Sequence, residues 1–264
     1  MKKRTIAGLA LAFVLLASCQ AKTEETDTDE SQGSITSTEE TDHFVFQDNN
    51  SSYQRLSAVI NQIRGDITSD GIKGEDITSQ GSVFDKYSEV IRSKKYTYES
   101  VLDFVVTGSL IYDKYSRDND KGYHNSITAR ADDEDLNTTE KMVEGIYYSN
   151  IFTGNEDCFI SDNTYSSVDK FLDDGMVPVA DSKFLQAYYT VFGGKTYVCE
   201  ERDFDDANSN IILYFLDGEL VAKMVEISDN QKLYTYYLSF SADVNENLFD
   251  VPTNIADTNE IVAM

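Results

Sequence analysis

The stretch NIILYFLDGELVAKMVEI, Asn210–Ile227, decides the fold. Two runs rich in β-branched and aromatic residues flank Asp217-Gly218. That dipeptide supplies the positive φ angles a two-residue hairpin turn needs. A second turn, ISDNQK, follows, and KLYTYYLSF brings the chain back. The spacing predicts a three-strand antiparallel meander. Two prolines in 264 residues leave little to interrupt it.

With Asp217-Gly218 as the loop, Leu216 pairs with Glu219 and the two faces follow by strict alternation. One face then carries Ile211, Leu213, Phe215, Leu220, Ala222 and Met224. The other carries Ile212, Tyr214, Leu216, Val221, Val225, Ile227, Tyr234, Tyr236, Leu238 and Phe240. An antiparallel sheet with one wet face shows polar alternation on that side. Neither face does, so both need a cover. Two N-terminal helices can cover one. The other is buried by the chain itself or meets more protein or a hydrophobic ligand. Tyr214, Val225, Tyr234, Tyr236, Leu238 and Phe240 are the candidate contact residues of that second case.

Upstream, Tyr53, Leu56, Ile60 and Ile63 recur at helical spacing, with Asn50, Ser51 or Ser52 as cap. A loop, GDITSDGIKGEDITSQG, leads to a second predicted helix over 83–93. Ser82 caps it, and Phe84, Tyr87 and Ile91 form its apolar stripe. The period then drops to two. Tyr96, Tyr98, Leu102, Phe104 and Val106 alternate with Thr97, Glu99 and Asp103 as a strand of about ten residues. Further strands are expected at 123–131, 142–149 and 158–160, and a short helix between Ser167 and Gly175. Residues 183–192 fit a helical face and are read as a possible helix, though their Tyr-Tyr-Thr-Val-Phe run also favours a strand. These elements predict one α+β domain over 44–256, with N-terminal helices packed on a curved, mostly antiparallel sheet, and a flexible tail over 257–264.

The N-terminus locates the protein. Lys2, Lys3 and Arg4 precede an apolar run from Ile6 to Ala17. That run is well short of the roughly 20 residues a spanning helix needs. A basic start, a short apolar segment and small residues before a cut site mark a secretory signal over 1–18. Leu16-Ala17-Ser18-Cys19 resembles the lipobox of bacterial lipoproteins. In that family the cysteine thiol receives a diacylglyceryl group and the signal is cut just before it. The resemblance implies a chain anchored through lipidated Cys19 on the extracytoplasmic face of a cell membrane, at the cell surface or in the periplasm. Two acyl chains give stable anchoring where one does not. From Cys19 to His43 the chain is acidic and polar, with Lys22 its only Lys or Arg. Such a segment buries too little apolar surface to offset the entropy of ordering, and reads as a tether.

Composition excludes some partners. The formal charge is −25, and losing the signal's three cations makes it more negative still. Nucleic acid and anionic lipid headgroups are repelled by such a chain. Hydrophobic residues make up 41%, with 17 Tyr and 14 Phe, which is enough for a packed core. Cys158 and Cys199 are the cysteines left after Cys19. Outside the cytoplasm they could pair across about 40 residues or stay as two thiols.

No catalytic or cofactor pattern survives inspection. FGGKTY carries the Gly-Lys-Thr of a phosphate-binding loop, but Tyr189 stands where the first Gly belongs and a strand-like TYVCEE follows. Ser161-Asp162-Asn163 and Ser167-Val168-Asp169-Lys170 occur in the wrong order for serine β-lactamases. His43, His124, Cys158 and Cys199 have no metal-ligand spacing, and a Cys199–His124 nucleophile pair has nothing to support it. Asp66–Ile77 departs from a calcium loop at Thr68 and Ile77, and Asp118, Asn119 and Asp120 read as a solvated turn.

The lipobox, acidic tether, early helices, long meander and close SFSADVNENLFDVPTNI together are similar to the LolA/LolB-like group of envelope proteins. That resemblance implies a half-barrel with helices in its hollow and a concave apolar face able to take acyl chains. The expected function is a non-enzymatic binding or carrier role for an apolar ligand. The alternative is a surface module that contacts another envelope protein and takes no ligand.

Overall fold

A computed structural model describes residues 52–67, 71–104, 108–131, 135–150, 158–172, 176–203, 210–227 and 231–256. The expected signal over 1–18, Cys19, the expected tether with His43, and the expected tail over 257–264 lie outside the described residues. The described residues form a twelve-stranded, open, antiparallel sheet with few helices. In chain order the elements are α1 (Ser52–Ile67), β1 (Ile72–Asp76), α2 (Asp85–Arg92), β2 (Lys95–Phe104), β3 (Ser109–Asp118), β4 (Lys121–Arg130), β5 (Leu136–Val143) and β6 (Ile146–Ser149). Then come β7 (Ile160–Asp162), α3 (Val168–Phe171), α4 (Met176–Asp181), β8 (Lys183–Phe192), β9 (Lys195–Asp203), β10 (Asn210–Leu216), β11 (Glu219–Ile227) and β12 (Gln231–Ser241). Strand order is β1-β8-β9-β10-β11-β12-β2-β3-β4-β5-β6-β7. Two meanders, β8–β12 and β2–β7, are thus joined by the β12–β2 pair.

The hairpin at Asp217-Gly218 forms as its chemistry requires. Their φ angles are 52° and 82°, and Leu216 pairs with Glu219. Strict alternation then breaks. A register shift between Tyr214 and Phe215 sets Phe215 opposite Leu220 but Tyr214 opposite Ala222. A second shift between Tyr237 and Ser239 leaves Leu238 outside the β12–β2 pairing. Each bulge moves the residues beyond it to the other face. Ala222 and Met224 therefore share a core with Tyr214 and Tyr236, while Val225 and Phe240 pack with Leu213 and Phe215. The six candidate contact residues do not share a face. Tyr214, Tyr234, Tyr236 and Leu238 lie on one, and Val225 and Phe240 on the other.

The helices also divide. Leu56, Ile60 and Ile67 of α1 are buried with Val101, Tyr112, Tyr214 and Tyr236. Phe84, Tyr87 and Ile91 of α2, with Met176, Val179 and Ala180 of α4, are buried with Tyr96, Tyr98, Leu213 and Phe215 on the opposite face. One helix per face replaces the expected pair on a single face. That is why neither face shows polar alternation.

Other departures have local causes. Residues 183–192 form β8, since pairing with β9 overrides the helical spacing. The expected strand over 142–149 is two strands, split at Glu144-Gly145 with φ of 54° and 79°. Strand β3, SLIYDKYSRD, was not anticipated; it interleaves charge with aromatics. Edge strand β1 arises inside the predicted loop. It is fully exposed, irregular and rich in charge, which blunts the sheet edge. Gly122 is where α3 docks on β4, since a Cβ there would lie 2.7 Å from the Phe171 ring.

Candidate functional site

Among the described residues, three groupings of side chains bear on possible chemistry. The first is buried in the helix-capping region of α2. Ser82 does not cap that helix; a carboxylate from the sheet does. Glu200 Oε2 accepts from the Val83 and Phe84 amides at 2.8 and 3.1 Å. Its Oε1 accepts from Ser82 Oγ at 2.8 Å and from the Arg202 guanidinium. Arg202 also donates to Ser182 Oγ and the Ser182 carbonyl, each at 2.8 Å, and lies over the Phe84 ring. Glu200 is fully buried, and both its oxygens are engaged. The arrangement ties β9 to α2 and to the end of α4. It leaves no lone pair for a reactant.

The second grouping surrounds His124 on β4. Protonated, its Nε2 donates to Asp113 Oδ1 at 3.0 Å and its Nδ1 to Glu140 Oε2 at 2.9 Å. Tyr147 donates its hydroxyl to Glu140 Oε1. The Tyr115 ring stacks on the imidazole at 4.1 Å and 3°. Antiparallel register builds this: Tyr115 pairs with His124, and His124 with Glu140. Burial opposes the imidazolium, but the two carboxylates more than offset it and push its pKa up to about 10. Burial likewise opposes the Glu140 charge, yet the His124 hydrogen bond and charge hold it below its ordinary range. An imidazolium of this kind keeps its proton at neutral pH and has no free nitrogen. It serves neither as a base nor as a metal ligand. Cys199 cannot complete a pair with it, because Cys199 packs with Tyr214 on the other face. Burial pushes that thiol up to about 11.

The third grouping is a cleft of about 490 Å³. Tyr123 of β4 and Thr139 and Lys141 of β5 form one wall with Phe159. The segment from Asn247 to Thr253 forms the other. That segment is fixed by Phe249, buried against Val143, Tyr148 and Phe159, and by a parallel bridge between Phe159 and Ile255. Lys141 Nζ donates to the Asp250 carbonyl at 3.3 Å. It lies 5.9 Å from the Tyr123 ring centroid and 5.8 Å from that of Phe159. Burial lowers the ammonium's pKa, and the Asp250 charge works against that shift.

The cysteines do not pair. Neither Cys158 nor Cys199 is in a disulfide. Cys199 lies on β9, third in the sheet order, and Cys158 just before β7, the last strand. A bridge needs Cα atoms about 4.4–6.8 Å apart. Asp118–Gly122 is a tight β3–β4 hairpin in which Asn119 Nδ2 donates to Asp118 Oδ1 at 2.9 Å. The Asp66–Ile77 stretch lies partly outside the described residues. Among the described residues, no group of three or more His, Cys, Asp and Glu side chains could hold a metal ion. No helix there is long and apolar enough to cross a membrane. No protein-family model and no curated protein matches the chain.

Sequence reasoning missed the His124 cluster because β3 was not anticipated. Its Asp113 and Tyr115 supply half of the grouping. The cleft was equally hidden, since it is made by the C-terminal segment returning to β5 from more than 100 residues away. The only trace of it was Phe249 and Pro252 after the last strand.

Proposed function

We propose that the protein is a lipid-anchored, extracytoplasmic binding protein that holds an apolar ligand, such as an acyl chain, against the sheet face bearing α1. The observation that carries this reading is a set of half-buried apolar side chains flanking the buried row on that face. Ile212 and Tyr234 lie on one side of Tyr214, Ala222 and Tyr236. Leu216, Val221 and Leu238 lie on the other. Helix α1 adds half-buried Tyr53 and Ile63.

The same cluster supports a curved sheet. Side chains from β8, β9, β10, β11, β12, β2, β3 and β4 share it with α1. Laid flat, those strands would be roughly 34 Å wide at about 4.8 Å per step. A helix is only about 10–12 Å across. A sheet that curls over α1 would bring these strands into one cluster with it, in keeping with the half-barrel that the LolA/LolB-like resemblance implies. The Leu16–Cys19 lipobox supports the anchor.

Native mass spectrometry of the full chain extracted from its own membranes tests the ligand. Copurifying lipid that disappears in Val221→Asp supports the reading. A folded protein free of lipid, which also takes up no added fluorescent fatty acid, overturns it. Cys19→Ser tests the anchor: the chain should leave the membrane fraction, and continued membrane association would count against lipidation.

A further inference from the structure

We propose that the cleft between β5 and the C-terminal segment is a second binding site, for a small monocarboxylate with a compact aromatic or apolar body. Its volume, about 490 Å³, suits a ligand of that size. The cleft presents one cation, Lys141, to whatever enters. That ammonium is half-buried, and its one hydrogen bond goes to a neutral carbonyl. The Asp250 carboxylate acts on it without reaching ion-pair distance. A half-buried cation that lacks a bonded counter-ion gains from a carboxylate more than a solvated one does, because its hydration is already partly removed. The Tyr123 and Phe159 rings beside Lys141, with Leu248, Val251 and Pro252 opposite, offer apolar contact to the ligand's body. Thr139, Asn247 and Thr253 supply hydrogen-bonding groups.

The charge number is argued from the surroundings. The chain carries −25, and Asp250 stands at the cleft. A compact dianion such as phosphate meets twice the repulsion of a monoanion and gains nothing from the rings.

The experiment titrates the full chain with phenylacetate, 2-phenylethanol and inorganic phosphate, followed by calorimetry. Phenylacetate should bind saturably, and the neutral alcohol at least about tenfold more weakly. Lys141→Met should reduce phenylacetate to the alcohol's level, and Lys141→Arg should restore part of the difference. Thr253→Trp is a second variant. It fills the cleft from an exposed lip, leaves the Phe159 and Phe249 packing in place, and should abolish binding. The proposal is overturned if no probe binds or if the alcohol or phosphate binds as well as phenylacetate. It is equally overturned if binding persists unchanged in Lys141→Met or Thr253→Trp. Circular dichroism melts establish that each variant is folded.

Discussion

Replacing His124 with glutamine removes the one cation between Asp113 and Glu140 while keeping a side chain that can donate a hydrogen bond. The folded pKa of about 10 against an ordinary 6.5 sets a ceiling. At about 1.36 kcal/mol per unit, the imidazolium contributes at most roughly 5 kcal/mol. The glutamine recovers one hydrogen bond, and the three side chains retain 15–17% exposure, so some water reaches the carboxylates after substitution. Removing one partner of a buried pair costs about 3–5 kcal/mol when the remaining charge is fully enclosed. Partial access brings the expected loss to about 2–4 kcal/mol.

The pH dependence separates this mechanism from simple loss of packing. A group whose folded pKa is raised contributes fully below its unfolded pKa, and the contribution disappears as pH rises through the folded value. For His124 the contribution is full below about 6.5 and gone above about 10. Glu140 has the opposite sign. Its folded pKa is lowered from 4.5, so its contribution is present above that value and lost as pH falls. The difference in stability between parent and variant should therefore be largest near pH 5 to 6.5, shrink steadily toward pH 10, and shrink again in acid. Urea unfolding followed by circular dichroism measures it. A difference that stays flat from pH 6 to 10.5, or grows with pH, refutes the imidazolium as its origin.

Glu200→Ala leaves Arg202 buried without its carboxylate and exposes the first amides of α2. The expected loss is about 3–5 kcal/mol, seen as a fall in Tm on the order of 10 °C, and adding Arg202→Met should recover part of it. Gly122→Ala should lower stability by about 1–3 kcal/mol in thermal melts, because the added methyl meets the Phe171 ring and Phe171 must shift. A thiol reagent at pH 8 should modify half-buried Cys158 before buried Cys199, whose thiol is pushed up to about 11. Denaturation without reductant should expose both at once, and a single reactive thiol, or none, would mean the pair is oxidised.

Much of the fold was legible because hairpin chemistry acts locally. Asp217-Gly218 adopts positive φ and turns the chain where its residue types demand it. The strand over 95–104 and the helix bearing Tyr53, Leu56, Ile60 and Ile63 follow from periodicity alone. The bulges were not legible. Nothing in LDGELVAK marks Val221 as the extra residue, and nothing in TYYLSF marks Leu238. Apolar residues fall in both phases of each stretch, so alternation alone does not choose between them. That ambiguity has a physical source: with cover on both faces, a slip of one residue exchanges one buried side chain for another. The register is fixed by what sits opposite. Tyr236 meets Val101 and Ala222, where a small neighbour admits the ring, while Phe240 finds Tyr96, Tyr98 and Tyr87 on the other side.

The same two bulges decide what the α1 face can hold. By moving Val225 and Phe240 away and bringing Ala222 and Met224 in, they set a small side chain between Tyr214 and Tyr236. That row is buried, and the larger half-buried residues are left outside it. Strict alternation would have placed Phe240 on the α1 face beside Leu238, and Val225 beside Tyr234. An apolar ligand seated there would therefore meet Leu216, Val221 and Leu238 without the Phe240 ring beside them. Introducing one tests the point. Val221→Phe should fill the space beside Leu216 and Leu238 and weaken retention of a long acyl chain without lowering Tm by more than about 2 °C, since the site is half-buried. Undiminished lipid retention in that variant would place the ligand away from this strip.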